Sequence, residues 1–162
     1  MLIAADTNVL LDLALDTEAI KDALETLRKR IPKARLVVPP TVLHELALAV
    51  KSGETAKRAA ALEALSRLHE WGFEPLNLIP VGHGIVERIA EALRHGKFLP
   101  IGELNDSLIL AESALLGCGI LLSADAHLRG MDYERLKLLL QDFHVDSPII
   151  ATPSEIVRKF FR

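Results

Sequence analysis

Leu104–Leu128, LNDSLILAESALLGCGILLSADAHL, carries an acid near each end of what reads as one helix followed by one strand. Asp106 opens an Ala/Leu-rich run, Gly117 and Gly119 end it, Ile120 to Ser123 form a short apolar strand, and Asp125 follows. In a parallel sheet a helix returns the chain to the starting edge. The acid that opens the helix and the acid that follows the next strand can therefore lie at the same upper edge. Two carboxylates brought together there repel unless a cation or a proton sits between them.

The same grammar extends upstream. Leu2 to Ala5 is apolar without polar alternation, as in a strand covered on both faces, and Asp6 ends it where TNVLLDLAL takes up helical spacing at Val9, Leu10, Leu13 and Ala14. Asp16 or Thr17 can cap a second helix to about Arg30. Leu36 to Val38 predicts the next buried strand, stopped by Pro39 and Pro40. Thr41 to Lys51 then predicts a helix ended near Gly53, with Val42, Leu43, Leu46, Ala47 and Val50 as its buried stripe and Glu45 at the border of that stripe.

Glu54 to Trp71 predicts a longer amphipathic helix, with Ala59, Leu62, Leu65 and Leu68 inward and Lys57, Arg58, Arg67 and Glu70 outward. Leu76 to Val81 predicts a third strand, and Gly82 and Gly84 loosen the turn into a helix carrying Ile85, Val86, Ile89 and Leu93. RHGKFLPIGELND follows as a loop that brings Arg94, His95 and Lys97 toward the helix opened by Asp106. Those three are the first candidates for gripping phosphates, the plainer reading being ordinary surface charge.

Beyond Asp125, Tyr133 to Phe143 has helical spacing, Pro148 to Ala151 predicts a last strand, and Thr152-Pro153 opens a terminal helix through Ile156, Val157 and Phe160. Strand and helix alternate throughout, which predicts an α/β protein, a three-layer α/β/α sandwich with a central parallel β-sheet. No repeat, low-complexity tract or linker interrupts it, so residues 1–162 read as one domain.

Composition narrows the function. At 162 residues, 50% hydrophobic and 25% charged, the chain suits a compact globule that buries about two-thirds of its unfolded surface. A net charge of −3 argues against coating nucleic acid through bulk charge. A polyanionic substrate would need help, and divalent cations on an acid cluster supply it by inverting the local sign. The single cysteine, Cys118, lies between two glycines in an apolar run and reads as a small core residue in a reducing compartment. No basic segment precedes the first apolar residues, so no signal peptide is expected. The longest apolar region, Ser107 to Leu122, is broken by Glu112 and by glycines and falls short of a membrane span. The expected location is cytoplasmic.

Several common sites are missing. There is no GxGxxG, and Gly96-Lys97 lacks the upstream glycine of a phosphate loop. The histidines show no zinc spacing, and no Gly-x-Ser-x-Gly elbow occurs. What remains is acids at matching topological places: Asp6 after the first strand, Glu45 in the helix after the second, Asp106 at the start of a later helix, and Asp125 after the strand it feeds. Oxygen-rich sets with few histidines suit magnesium or manganese. Two of the acids also have a plainer reading, Asp6 as a helix cap and Glu45 as a charge reaching from a stripe border to water.

DTNVLLD at Asp6 to Asp12, HEL around Glu45, NDSLILAESALLGCGILLSAD from Asn105 to Asp125 and the closing IIATPSEIV together resemble a PIN domain. That is the nuclease fold of VapC-type toxins and several RNA-processing enzymes, and the resemblance covers nearly the whole chain. It implies that Asp6, Glu45, Asp106 and Asp125 form a catalytic quartet, with Asn8 and Ser123 as polar supports; Ser123 stands where threonine is usual and keeps the hydroxyl. It further implies Mg2+- or Mn2+-dependent hydrolysis of RNA phosphodiesters to 5′-phosphate and 3′-hydroxyl ends. Asp6 and Asp106 would be the principal metal ligands, Asp125 a ligand to a second or outer-sphere metal, and Glu45 a ligand or water orienter. A toxin of this kind would have an antitoxin partner, and homodimers are frequent.

Two other readings stay open. One is a PIN-like module that binds RNA or protein without cutting. The other is a phosphatase of the haloacid dehalogenase type, although its Asp-x-Asp pair is here Asp6 and Asn8.

Overall fold

An apolar tetrapeptide with no polar alternation is stable only between layers of helix, and β1 (Leu2–Ala5) lies there, with Ile3, Ala4 and Ala5 fully buried. The computed structural model describes residues 1–160. After β1 come α1 (Thr7–Ala14), α2 (Glu18–Arg30), β2 (Arg35–Val38), α3 (Pro40–Ser52), α4 (Thr55–Arg67) and β3 (Phe73–Pro75). The chain continues through α5 (Pro80–His95), α6 (Leu104–Leu115), β4 (Cys118–Leu122), α7 (Ala126–Arg129), α8 (Tyr133–Gln141), β5 (Ile149–Ala151) and α9 (Pro153–Phe160).

All strand pairings are parallel and the sheet order is β3-β2-β1-β4-β5. Ile3 stands opposite Leu36 on one side and Ile120 on the other. The chain first builds outward from β1 through β2 to β3, then crosses back and adds β4 on the opposite side of β1. The crevice between the carboxyl ends of β1 and β4 is therefore the point at which the strand order reverses, where open α/β sheets place their ligands. Helices flank the sheet in the three-layer arrangement that the alternation predicts. No helix among the described residues is long and apolar enough to cross a membrane.

The core is aliphatic. Leu10, Leu27, Leu46, Ile89, Ile109, Leu110, Leu121 and Leu122 are among its fully buried side chains, each worth roughly 1.5–3 kcal/mol relative to exposure. Cys118 is buried on β4, and burial pushes its thiol up to about 11. Gly117, with φ of 72°, makes the left-handed turn from α6 into β4.

Five local expectations are corrected. The third strand is Phe73–Pro75, not Leu76–Val81: Phe73 is the buried residue, Leu76 N–H makes a last bond to Val38 O, and Pro80 then starts α5. Gly82 and Gly84 thus lie inside α5 rather than in a turn. At Gly82 a Cβ would sit 3.3 Å from Leu78 Cβ, a tight contact with the stretch just before α5, and 3.5 Å from Leu115 of α6, an ordinary one. The buried face of α4 is Ala60, Ala61 and Ala64, with Leu68 just beyond the helix, while Ala59 and Leu62 face outward. Small side chains permit close packing on α1 and α3, so alanines rather than leucines form the contact. On α3 the inward alanine is Ala49, and Ala47 is exposed. Finally, Arg94 and His95 belong to the last turn of α5, and the loop begins only after them.

Candidate active site

Two backbone bonds prolong the sheet past its strands: Asp6 N–H donates to Leu122 O at 2.9 Å, and Ser123 N–H to Ala151 O at 3.1 Å. They set Asp6 and Ser123 side by side at the crevice. The Ser123 hydroxyl donates to Asp6 Oδ2 at 2.8 Å and accepts Asp125 N–H at 3.1 Å, so one buried hydroxyl links the ends of β1 and β4. Asp6 Oδ1 accepts the Thr7 amide at 2.6 Å, which makes the residue the N-cap of α1. Asp6 is only 2% exposed. Burial raises its pKa, the Ser123 hydroxyl and Thr7 amide pull it back, and Glu45 and Asp125 push it up again.

Asp125 caps α7, its Oδ1 accepting the amides of His127 at 2.7 Å and Leu128 at 3.2 Å. Glu45, one turn into α3, is held at both oxygens. The Thr7 hydroxyl donates to Oε2, and Asn105 Nδ2 donates to Oε1 at 2.7 Å.

Asp106 differs from all three. It lies in the first turn of α6, partly buried, and its pKa is pushed up to about 7 by burial and then by the charges of Asp125, Asp6, Glu103 and Glu45, with no hydrogen bond to offset them. Each of the other three predicted acids thus acts on Asp106 through space. The sequence-predicted quartet comes together at one edge of the sheet.

Asp6, Asn8, Glu45, Asn105 and Asp106 line one open cleft of about 370 Å³, and among the described residues that line it Lys57 of α4 is the one cation. Asp125 is not in that lining and joins the cluster through Ser123. Asn8 is exposed on the cleft wall. Arg94, His95 and Lys97 line a separate hollow with Phe98, Leu99, Pro100 and Ile101. Of the three, Arg94 donates from its guanidinium to the hydroxyl of Ser107, the residue after Asp106.

Sequence reasoning missed Thr7, Asn105 and Lys57. The first two are immediate neighbours of predicted acids, in Asp6-Thr7-Asn8 and Asn105-Asp106, a position that could have flagged them. Lys57 carried no signal beyond an exposed helix face.

The donor set is hard: carboxylate, hydroxyl and amide oxygens, with no cysteine and no histidine among the lining residues. Among the described residues no three His, Cys, Asp or Glu side chains are grouped closely enough to hold one ion by themselves. Magnesium does not require such a cage. It is commonly held by one or two carboxylates and keeps several waters, with substrate phosphate completing its shell. An unpartnered carboxylate at Asp106 beside the fixed Asp6 fits that demand.

A parallel α/β/α sheet with oxygen donors gathered at its switch point defines the class. Within it, a family model described as PIN domain matches residues 3–133, and the chain belongs to the PIN domain family. A solved structure of VapBC2 from Rickettsia felis, bound to a DNA fragment from their promoter, has a similar fold. Its TM-score is 0.64 at 17% identity, over 94% of this chain and 98% of that one. No curated protein matches the chain.

Proposed function

We propose that the protein is a metal-dependent ribonuclease that hydrolyses RNA phosphodiester bonds with magnesium or manganese. The observation that carries this reading is Asp106, a partly buried carboxylate on which Asp125, Asp6, Glu103 and Glu45 act as like charges and which accepts no hydrogen bond, in the same cleft as Asp6 and Glu45. Family membership supports the same class of chemistry.

In this reading Asp6 and Asp106 hold the ion, and Asp125 serves a second or outer-sphere position. The Ser123 hydroxyl and Thr7 amide aim Asp6, which leaves its remaining lone pairs toward the cleft. Glu45, fixed by Asn105 and Thr7, keeps lone pairs free to orient a water. Asn8 is a polar wall of the cleft, and Lys57 meets substrate phosphate there. The 94–97 stretch would touch the strand further out. When bound, the ion supplies Lewis acidity, acidifying water and offsetting charge on the attacking and leaving oxygens. Water oxygen joins phosphorus, the bond to O3′ breaks, and a proton passes to O3′, leaving a 5′-phosphate.

We further propose one domain acting in the cytoplasm as a homodimer, with an antitoxin partner as in the VapBC pair. The deciding experiment incubates the whole chain with single-stranded RNA in Mn2+, in Mg2+ and in chelator. Metal-dependent cleavage that Asp106→Asn abolishes is expected. RNA bound tightly yet left intact in every metal would replace this reading with that of a binding module.

A further inference from the structure

Helix α3 begins on Pro39-Pro40 and so has no side-chain cap of its own. Its first turn still presents orphan amides. The cap comes from another helix. Glu112 of α6, 4% exposed, accepts Thr41 N–H at 3.0 Å on Oε2 and 3.2 Å on Oε1, and accepts the Thr41 hydroxyl at 2.7 Å. One turn on from Thr41 is Glu45, which binds Asn105 on the same helix α6.

The two contacts form a ladder between antiparallel helices: Thr41 with Glu112, and Glu45 with Asn105. The rungs are about 6 Å apart along α3 and about 10 Å apart along α6, and the two long glutamate side chains take up the difference. Asn105 in turn neighbours Asp106. The Glu112 rung thus lies one helical turn before Glu45 on α3.

We propose that Glu112 is a positioning residue, which caps α3 from the neighbouring helix and thereby sets the register in which Glu45 faces Asp106. It acts through Glu45 and touches neither substrate nor metal. A buried carboxylate that served only to staple the core could be exchanged without effect on the cleft. This one ends on the turn that carries Glu45. Around Glu112 stand Thr41, His83 of α5 and, at longer range, Glu45. The inference rests on the nuclease reading only in assigning Glu45 to the site.

The test uses the full chain, with Mn2+ alone as probe and the Asn105 side-chain amide as a metal-free NMR reporter. Glu112→Ala is expected to shift the Asn105 amide two helical turns away and to weaken Mn2+ binding by roughly 10- to 100-fold, the usual effect of losing an outer-shell partner. Thr41→Val, which deletes one hydroxyl and keeps the amide, is expected to give a smaller loss. In a Glu45→Gln background, Glu112→Ala is expected to add less than about a twofold change, because the two act as one unit.

An unmoved Asn105 amide with unchanged Mn2+ affinity would make Glu112 a core staple and overturn the proposal. A loss that persists undiminished without Glu45 would overturn it equally. If Glu112→Ala fails to fold, Glu112→Gln, which keeps one acceptor oxygen, is read by the same criteria. Should the wild-type chain bind no Mn2+, the nuclease reading falls and the Asn105 amide alone decides this one.

Discussion

Asp6 and Asp106 belong to one cleft and are held in opposite ways. Asp6 follows a central strand, is almost wholly buried, and has a donor on each oxygen. Asp106 stands at a helix start, with four acids pushing its pKa up and no donor to offset them. The dipole of α6 favours a negative charge in its first turn, but by only about 0.3–1 kcal/mol, too little to cancel burial and like charges together. Strand ends thus provide fixed oxygens, while the helix start provides a carboxylate that ionises comfortably only beside something positive. In the proposed nuclease the sheet would fix where a cation sits, and α6 would supply the reason for it to bind.

The sharpest way to break this contrast is substitution at both ends. Asp106→Asn is expected to reduce RNA cleavage by more than about 100-fold, beyond the usual cost of an outer-shell loss, while the metal-free protein unfolds in urea no earlier than wild type. Asp6→Ala is expected to abolish cleavage as well and also to destabilise the fold, by about 1–3 kcal/mol for each buried donor left unpaired. Equal urea midpoints for the two variants would erase the distinction.

Ser123→Ala tests the link between the strands. Its expected effect is a roughly 10- to 100-fold loss of Mn2+ affinity by calorimetry, whereas Ser123→Thr, which keeps the hydroxyl, should retain binding.

Smaller in effect, but more diagnostic, is the pH dependence of stability. Asp106 titrates at its ordinary value of 3.8 when unfolded and at about 7 when folded. Between those values the folded chain holds more protons than the unfolded one, so this group makes metal-free stability fall as pH rises across that window. Urea midpoints measured from about pH 4 to 8 should fall less steeply in Asp106→Asn, the raised Asp6 and Glu112 keeping the remainder, and be lifted at the upper end by Mn2+. A wild-type slope of the opposite sign in this window would place the charge conflict elsewhere.

The least effect is expected from Lys57→Ala: a raised KM for single-stranded RNA and a dependence of log KM on log salt shallower by about 0.7, as for one lost phosphate contact. Lys97→Ala, in the separate hollow, is the comparison. A larger change there would move the RNA path from α4 to the 94–97 stretch.

How far the sequence could be read followed from what each feature depends on. β1 and β4 were legible because a short apolar run without alternation has one comfortable home, and the acid after each must then lie at the sheet edge. α4 was misread because alanine is a weak hydrophobe beside leucine, yet fits where two helices crowd. β3 escaped because only Phe73 of its three residues is buried, while the run through Leu78 and Ile79 looked more strand-like and leads instead into Pro80. The partners of Glu45 depend on how α1, α3 and α6 are oriented to one another, which periodicity within any one helix does not contain. Glu112 is the clearest case: in the sequence it merely interrupts an apolar run, and in the fold it is a buried cap reaching across to α3.

Cys118 gives the molecule a built-in clock. Its thiol lies at the start of β4, at the far end of that strand from the switch-point crevice, and burial raises its pKa and keeps it out of reach of alkylating reagents. A thiol-reactive label can therefore enter only when β4 is exposed, and the labelling rate counts those openings without any engineered probe. Slowing of that clock by added manganese would report how firmly an ion grips the folded form, in a protein whose RNA target need not be known.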